Sequence, residues 1–317
     1  SFKLFMAYPG RLYSDDGQLL RAMQQSAANG GLVMMHAENG LAIDVLAAQA
    51  VERGETGPEA HGRVRRSELE GEAVHRAVQL AAVGAAPLYI VHLSCSEALE
   101  QVTIARDRGA NVFAETCPQY LYLTLEETLA RPGFEGAPWV CSPPIRTGHA
   151  HHHADLWKGL RTNDLSVVAT DHCPFCMVDQ KELGVADFRT IPNGLDSVEH
   201  RMDLLYQGVA SGEISLPRWV ELCSTTPARM FGLYPRKGVI RPGADADIVL
   251  YDPDHRWTIS VDDHHMAVDY SAYEGIEVAG RVHTVISRGR VIVEGERYLG
   301  SAGHGRFLPR GLSQYLL

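Results

Sequence analysis

Lys3, Tyr8, His36, His92 and Asp171 are of the types that bind divalent metal, donate to a developing oxyanion or move a proton, and each lies in or at the end of a short apolar run. Imidazole and carboxylate are the ligands zinc prefers. One strand histidine is more often a hydrogen-bonded core residue than a ligand, so the signal is its repetition at equivalent positions. Lys3 is the odd member. Flanked by Phe2, Leu4 and Phe5, it would bury an ammonium at considerable cost. Carbamylation by carbon dioxide would convert that amine into a carboxylate able to bridge two metal ions; pairing with an acid, or exposure at a frayed end, are the alternatives. Tyr8 is either an oxyanion donor or a packing residue at a rim.

The elements that must position these groups are five apolar runs, at residues 2–8, 31–36, 87–92, 111–115 and 165–171. Amphipathic stretches of helical length, 15–29, 68–83 and 96–108, lie between most of them. Such alternation predicts a parallel α/β fold. Polar residues at the C-terminal ends of the runs, with no Gly-rich phosphate loop, favour a (β/α)8 TIM-like barrel over an open sheet, because a barrel gathers successive strand ends into one mouth. About five of its eight strands are present, so the barrel is partial. Residues 1–236 form this part. Helices are expected at 197–210, 216–223 and 226–231. Residues 237–299 change character: 238–243, 246–250 and 284–289 read as short strands joined by Gly and Pro turns, a small β-sandwich portion. Residues 300–317 read as a tail, packed on a neighbouring subunit or disordered.

The balance of 39 acidic against 29 basic residues in 317, a net charge of -10, with no long run of Lys or Arg, argues against a nucleic-acid partner. The longest apolar stretches are far shorter than the roughly 20 residues of a membrane helix, so no membrane partner is expected. Cys95, Cys117, Cys141 and Cys173 end apolar runs as buried free thiols do, which fits a cytoplasmic protein. Cys173-Pro174-Phe175-Cys176 lacks a partner pair and reads as structural, and the His149, His151, His152 and His153 cluster as a solvated loop. His172 adjoins Asp171, but strand neighbours usually point to opposite sides.

Ser1 to Tyr8, His36-Ala37-Glu38-Asn39-Gly40, His92-Leu93-Ser94, Glu115 to Leu121, Cys141-Ser142-Pro143-Pro144, Thr170 to Phe175 and Pro192-Asn193-Gly194-Leu195 resemble, in order, the signature segments of the dihydropyrimidinases and D-hydantoinases of the amidohydrolase superfamily. Lys237-Gly238 and Gly243 to Asp247 resemble the superfamily's composite β-sandwich. The resemblance implies metal-dependent hydrolysis of the cyclic amide of dihydropyrimidines or hydantoins to N-carbamoyl amino acids. It implies two divalent ions, zinc foremost, bridged by N6-carboxylated Lys3, with His36 and His92 on one ion and Asp171 on the other. Asp171 would take the proton of the attacking water and return it to the departing ring nitrogen; Tyr8 would steady the oxyanion. Backbone groups around Ser142 and Asn193 would read the ureide edge, and Phe5 would meet the exocyclic substituent. A cytoplasmic homotetramer acting on a small cyclic ureide is implied. Allantoinase, dihydroorotase and a non-catalytic collapsin-response-like scaffold are the alternatives; no basic residues suited to a substrate carboxylate are evident, and the ligands absent from a scaffold are present here.

The sequence departs from the pattern at Pro9, at Arg11-Leu12-Tyr13, and at Asp196-Ser197, which stand where Pro-Gly is expected. No His-x-His ends a strand, although the superfamily's first barrel strand supplies one. The chain reads as entered mid-barrel, and by itself is expected to be inactive.

Overall fold

A computed structural model describes residues 1–315. The chain begins with strand β1 (Phe2–Phe5), then α1 (Asp16–Asn29), β2 (Val33–His36), α2 (Gly40–Glu52), α3 (Pro58–Val64) and α4 (Ser67–Val83). Next come β3 (Leu88–Ile90), α5 (Ser96–Asp107), β4 (Val112–Thr116), α6 (Gln119–Tyr122), α7 (His152–Thr162) and β5 (Val167–Val168). The five strands form one parallel sheet in the order β1-β2-β3-β4-β5, each paired with the next. That sequential order, with helices as crossovers, is the arc of a barrel wall.

Local chemistry sets the elements. The Asp15 carboxylate accepts from the Gln18 amide at 2.7 Å while the Gln18 side chain accepts from the Asp15 amide at 3.0 Å, a capping box that starts α1. Gly30, at φ 72°, stops it in the left-handed conformation. Leu88, Tyr89 and Ile90 are almost wholly buried, as strands covered on both faces must be; Ala73, Val74, Ala77 and Ala81 of α4 join Leu88 and Ile90 in the main core, while Tyr89 packs in a separate cluster with Leu32, Val91, Val167 and Met230. α2 and α3 fill a stretch that periodicity leaves unassigned. Leu41 and Val45 of α2 are exposed, so its apolar residues run round the helix and blur the buried stripe of Gly40, Ile43, Ala47 and Ala50.

Three strands stop short of the C-terminal ends of the apolar runs that announce them. The expected 2–8, 87–92 and 165–171 end at Phe5, Ile90 and Val168. The chemistry-bearing residues lie just beyond, with Tyr8, His92 and Asp171 all at positive φ (64°, 42° and 48°). Non-glycine residues pay for this conformation, and it gathers at functional sites.

After β5 come α8 (Arg201–Ala210), α9 (Leu216–Val220), a π-turn over Glu221–Thr225 and α10 (Thr226–Met230). β6 (Ile248–Thr258), β7 (Glu277–Ser287), β8 (Arg290–Glu294) and β9 (Arg297–Tyr298) then make one antiparallel sheet in that order. Residues 238–243, expected as a strand, are instead a turn segment, tied down by Lys237, whose Nζ lies 2.9 Å from Asp245 and also bonds Asp247. The described part of 300–317 packs on its own chain: the Gly311 amide donates to the Gly232 carbonyl at 2.9 Å, the Gln314 amide to that of Arg229 at 3.0 Å, and Tyr315 lies against Phe113. Residues 316 and 317 lie outside the described residues. Among the described residues no helix is long and apolar enough to cross a membrane.

Candidate metal and catalytic site

Lys3, Tyr8, His36, His92, Ser142, Asp171 and Asn193, all expected from sequence, line one cavity of ≈ 1030 Å³ at the C-terminal ends of the parallel strands. Another hollow, of ≈ 1160 Å³ beside Arg161 and Arg218, has none of them in its wall. His36 ends β2, and its ring meets that of His92 edge-on with centroids 4.5 Å apart. Tyr8 lies 5.3 Å and Phe5 5.5 Å from the His36 ring, centroid to centroid.

The two histidines are prepared differently. Both ring nitrogens of His92 are buried without a hydrogen-bond partner. A polar group so placed costs free energy unless something coordinates it. Burial first, then the neighbouring His36 and Lys3, hold the His92 ring well below the usual imidazole range, so it is neutral, the ligating form. His36 Nε2 is 2.7 Å from Glu38 Oε2, which leaves Nδ1 as the nitrogen not taken by that carboxylate. A carboxylate on the far nitrogen of a ligating histidine is the usual orienting partner in metal sites. The residues present therefore fit divalent metal.

For Lys3 one of the alternatives holds. It is exposed, with Nζ 5.0 Å above the Phe5 ring. Burial of its ammonium is thus no argument for modification: β1 pairs only with β2 among the described residues, and an edge strand does not enclose its side chains. Asp171 is half-buried, and desolvation raises its carboxyl above the ordinary value although Lys3 and His36 pull the other way. Burial similarly pushes the Tyr8 phenol up to about 12, against the opposing pull of Arg65, so it keeps its proton at neutral pH. Ser142 Oγ and Asn193 Oδ1 are buried and unpartnered at the cavity wall.

A sequence profile of the Amidohydrolase family matches residues 5–292. The chain belongs to that family. The amidohydrolase is 62% identical over 316 residues to the D-hydantoinase of Streptomyces coelicolor, covering 100% of this chain and 67% of that protein. It is 45% identical over 311 residues to the D-hydantoinase of Geobacillus stearothermophilus, covering 98% and 65%. The solved dihydropyrimidinase from Brevibacillus agri superposes with a TM-score of 0.95 at 46% identity, over 98% of this chain and 67% of that one. The chain thus spans about two thirds of the length of its relatives. These likenesses place it in the hydantoinase and dihydropyrimidinase branch, whose members are cyclic amidohydrolases dependent on metal.

Behind the cavity wall the amidohydrolase carries groups to which sequence reasoning gave no role. Glu38, fully buried, accepts from Arg65 Nη1 at 2.8 Å as well as meeting His36. Burial opposes its ionisation, but Arg65 and then His36 outweigh it and hold its carboxyl below the usual range. Arg65 also stacks on the Tyr8 ring at 5.5 Å, and its carbonyl accepts from Arg146, whose Nη2 pairs with Glu70 at 2.6 Å. This chain of contacts runs from α4 to the ring of His36. Only Glu38 had a local signal, its place two residues past a strand histidine; Arg65 and Arg146 are distant in sequence and were not findable without the fold.

Several bystanders resolve. The His172 Nδ1 accepts from the amides of Ser197 (3.1 Å) and Val198 (3.3 Å), so it serves the 197 turn rather than Asp171. Cys95, Cys117 and Cys141 are buried, but Cys173 is exposed, correcting its expected burial, because it follows the left-handed turn at Asp171 rather than continuing a strand. The histidine cluster is not simply a solvated loop. His152 is buried and accepts from the Ser96 amide at 3.2 Å, and His153 Nε2 lies 3.0 Å from the Leu123 carbonyl, because α7 begins there.

Proposed function

We propose that the enzyme carrying this chain opens the ring of hydantoins and dihydropyrimidines to N-carbamoyl amino acids. The observation that supports it is the convergence of Lys3, His36, His92, Asp171 and Tyr8 on one cavity. His36 and His92 would hold one divalent ion, Asp171 the other, and Lys3, carboxylated on Nζ by addition of carbon dioxide with loss of a proton, would bridge them. Bound there, zinc-like ions supply a water acidic enough to attack at neutral pH and polarise the scissile carbonyl.

This chain's own groups do the rest. Asp171 takes the water's proton and hands it to the leaving ring nitrogen, so that one carboxylate serves as base and then acid. Tyr8, protonated at neutral pH, donates to the carbonyl oxygen as it becomes negative. Backbone and polar groups about Ser142 and Asn193 pair with the ureide edge, and Phe5 borders the exocyclic substituent. A cytoplasmic homotetramer is part of the same proposal.

The zinc-loaded full-length enzyme should be incubated in parallel with hydantoin, dihydrouracil and allantoin. N-carbamoylglycine and N-carbamoyl-β-alanine from the first two are expected. Turnover of allantoin alone would replace this function with allantoinase, and turnover of none with a scaffold.

A further inference from the structure

Asp196, His200 and His264 come together away from the catalytic cavity. Asp196 closes the turn after Pro192-Asn193-Gly194, His200 caps α8, and His264 lies between β6 and β7. One ligand atom from each lies within 4.8 Å of the others. Asp196 and His200 are 0% and 1% exposed, and the polar atoms they bring are spare. Asp196 Oδ1 accepts from the Ala272 amide at 2.9 Å, but Oδ2 has no partner. His264 Nε2 is 3.2 Å from the Val268 carbonyl, which marks it as the protonated nitrogen and leaves Nδ1 with a free lone pair and no partner. Neither ring nitrogen of His200 has a partner.

Four orphaned polar atoms in one buried spot are a heavy cost for a fold to carry with no compensation. The neighbouring acid does not relieve it, because Glu199 is taken by His265 at 2.7 Å. The His200 and His264 rings lie nearly parallel, 13° apart, at 6.4 Å, too far for a direct hydrogen bond between ring nitrogens to be recorded. Burial, the largest influence on it, holds His200 down to about 4, so its ring is neutral at pH 7.

We infer that Asp196 Oδ2, His264 Nδ1 and a ring nitrogen of His200 form a second, structural site for a zinc-like divalent ion. Two imidazoles and one carboxylate suit zinc, cobalt or nickel rather than calcium or magnesium, which want all-oxygen shells. Ligand atoms around tetrahedral zinc lie about 3.3 Å apart, so the three close inward on the ion, with the half-buried side at His264 open for a water. The backbone partners on Asp196 and His264 are the outer contacts that orient metal ligands. Asp196 is also one of the positions where this sequence departs from the hydantoinase pattern, so the site is a property of this chain rather than of the catalytic pair. The bound ion ties the turn carrying Asn193, on the cavity wall, to the segment entering β7.

The full-length enzyme, stripped by chelator and reloaded with Zn²⁺ alone, tests this by zinc content per chain after gel filtration. The variant His36→Ala/His92→Ala, which removes one catalytic ion and leaves the one on Asp171, should carry one equivalent more than the same variant with His264→Asn added. His264→Asn, at a half-exposed position, avoids the folding risk of His200→Ala; Asp196→Asn gives an independent second variant. Equal zinc content with and without His264→Asn and Asp196→Asn, in folded protein, overturns the site. Catalytic turnover is not the readout, so failure here and failure of the hydantoinase function are distinguishable.

Discussion

Glu38 joins two groups, the Arg65 guanidinium and the His36 ring, where it is fully buried. Glu38→Gln keeps the shape and removes the charge. Loss of an orienting carboxylate typically weakens metal binding about 10–100-fold, and leaving Arg65 buried without its anion should cost about 3 kcal/mol of stability. Chelator competition and urea unfolding read the two effects separately; unchanged metal affinity would mean that Glu38 only packs. Tyr8→Phe deletes the phenol proposed to donate to the developing oxyanion. About a 100-fold drop in kcat with KM nearly unchanged is expected, and a change confined to KM would reduce Tyr8 to a wall residue.

Between elements, the decisive contact is the approach of α2 to β1. A Cβ on Gly40 would sit 2.6 Å from the Ala7 backbone, and the Gly40 amide donates to the Met6 carbonyl at 3.1 Å. Backbone cannot move aside as a flexible side chain can. Gly40→Ala should therefore push the end of β1, with Tyr8, away from His36, costing about 1–3 kcal/mol as overpacking does, with a fall in kcat larger than the loss of folded protein explains. Circular dichroism on melting together with turnover at a temperature where both proteins are folded checks it; unchanged kinetics would show that the turn tolerates the shift.

At the scale of the whole molecule, α8 fastens the antiparallel sheet to the parallel one. The Gln207 side chain donates to the Ala279 carbonyl at 2.8 Å and accepts from its amide at 2.9 Å, and the Tyr251 phenol donates to Asp203 at 3.0 Å. Burial lifts the Asp203 carboxyl from 3.8 to about 6, Tyr251 and Arg281 pulling the other way. The sign follows: stability from Asp203 is fully present below about pH 3.8 and is lost as pH rises through about 6. Asp203→Asn should match wild type near pH 4 and melt higher above pH 6; a constant difference across pH would place the titration elsewhere. The metal content of the whole centre is a further matter of scale. Lys3, His36, His92 and Asp171 would be four ligands, where two ions in catalytic sites use about three protein ligands each. A polypeptide limited to these 317 residues is expected to show no turnover of hydantoin when zinc-loaded, measured beside the full-length enzyme, and turnover by it would mean that four suffice.

Strand order, the helices α1, α4 and α5, and the residues at the cavity were legible in the sequence because burial on both faces writes continuous apolar runs and capping writes Asp15 and Gly30 next to the helix they bound. The same local code misled at residues 238–243, where Val239 and Ile240 between Gly and Pro read as a short strand but Lys237 and its two aspartates hold a turn. Other facts belong to tertiary structure alone. The left-handed turns that aim Tyr8, His92 and Asp171, the exposure of Lys3 on an edge strand, the reach of Arg146 through Arg65 and Glu38 to His36, and the meeting of Asp196, His200 and His264 all depend on which distant segments share a surface. Sequence spacing carries the period of a strand or helix, but not the neighbours that folding brings to it.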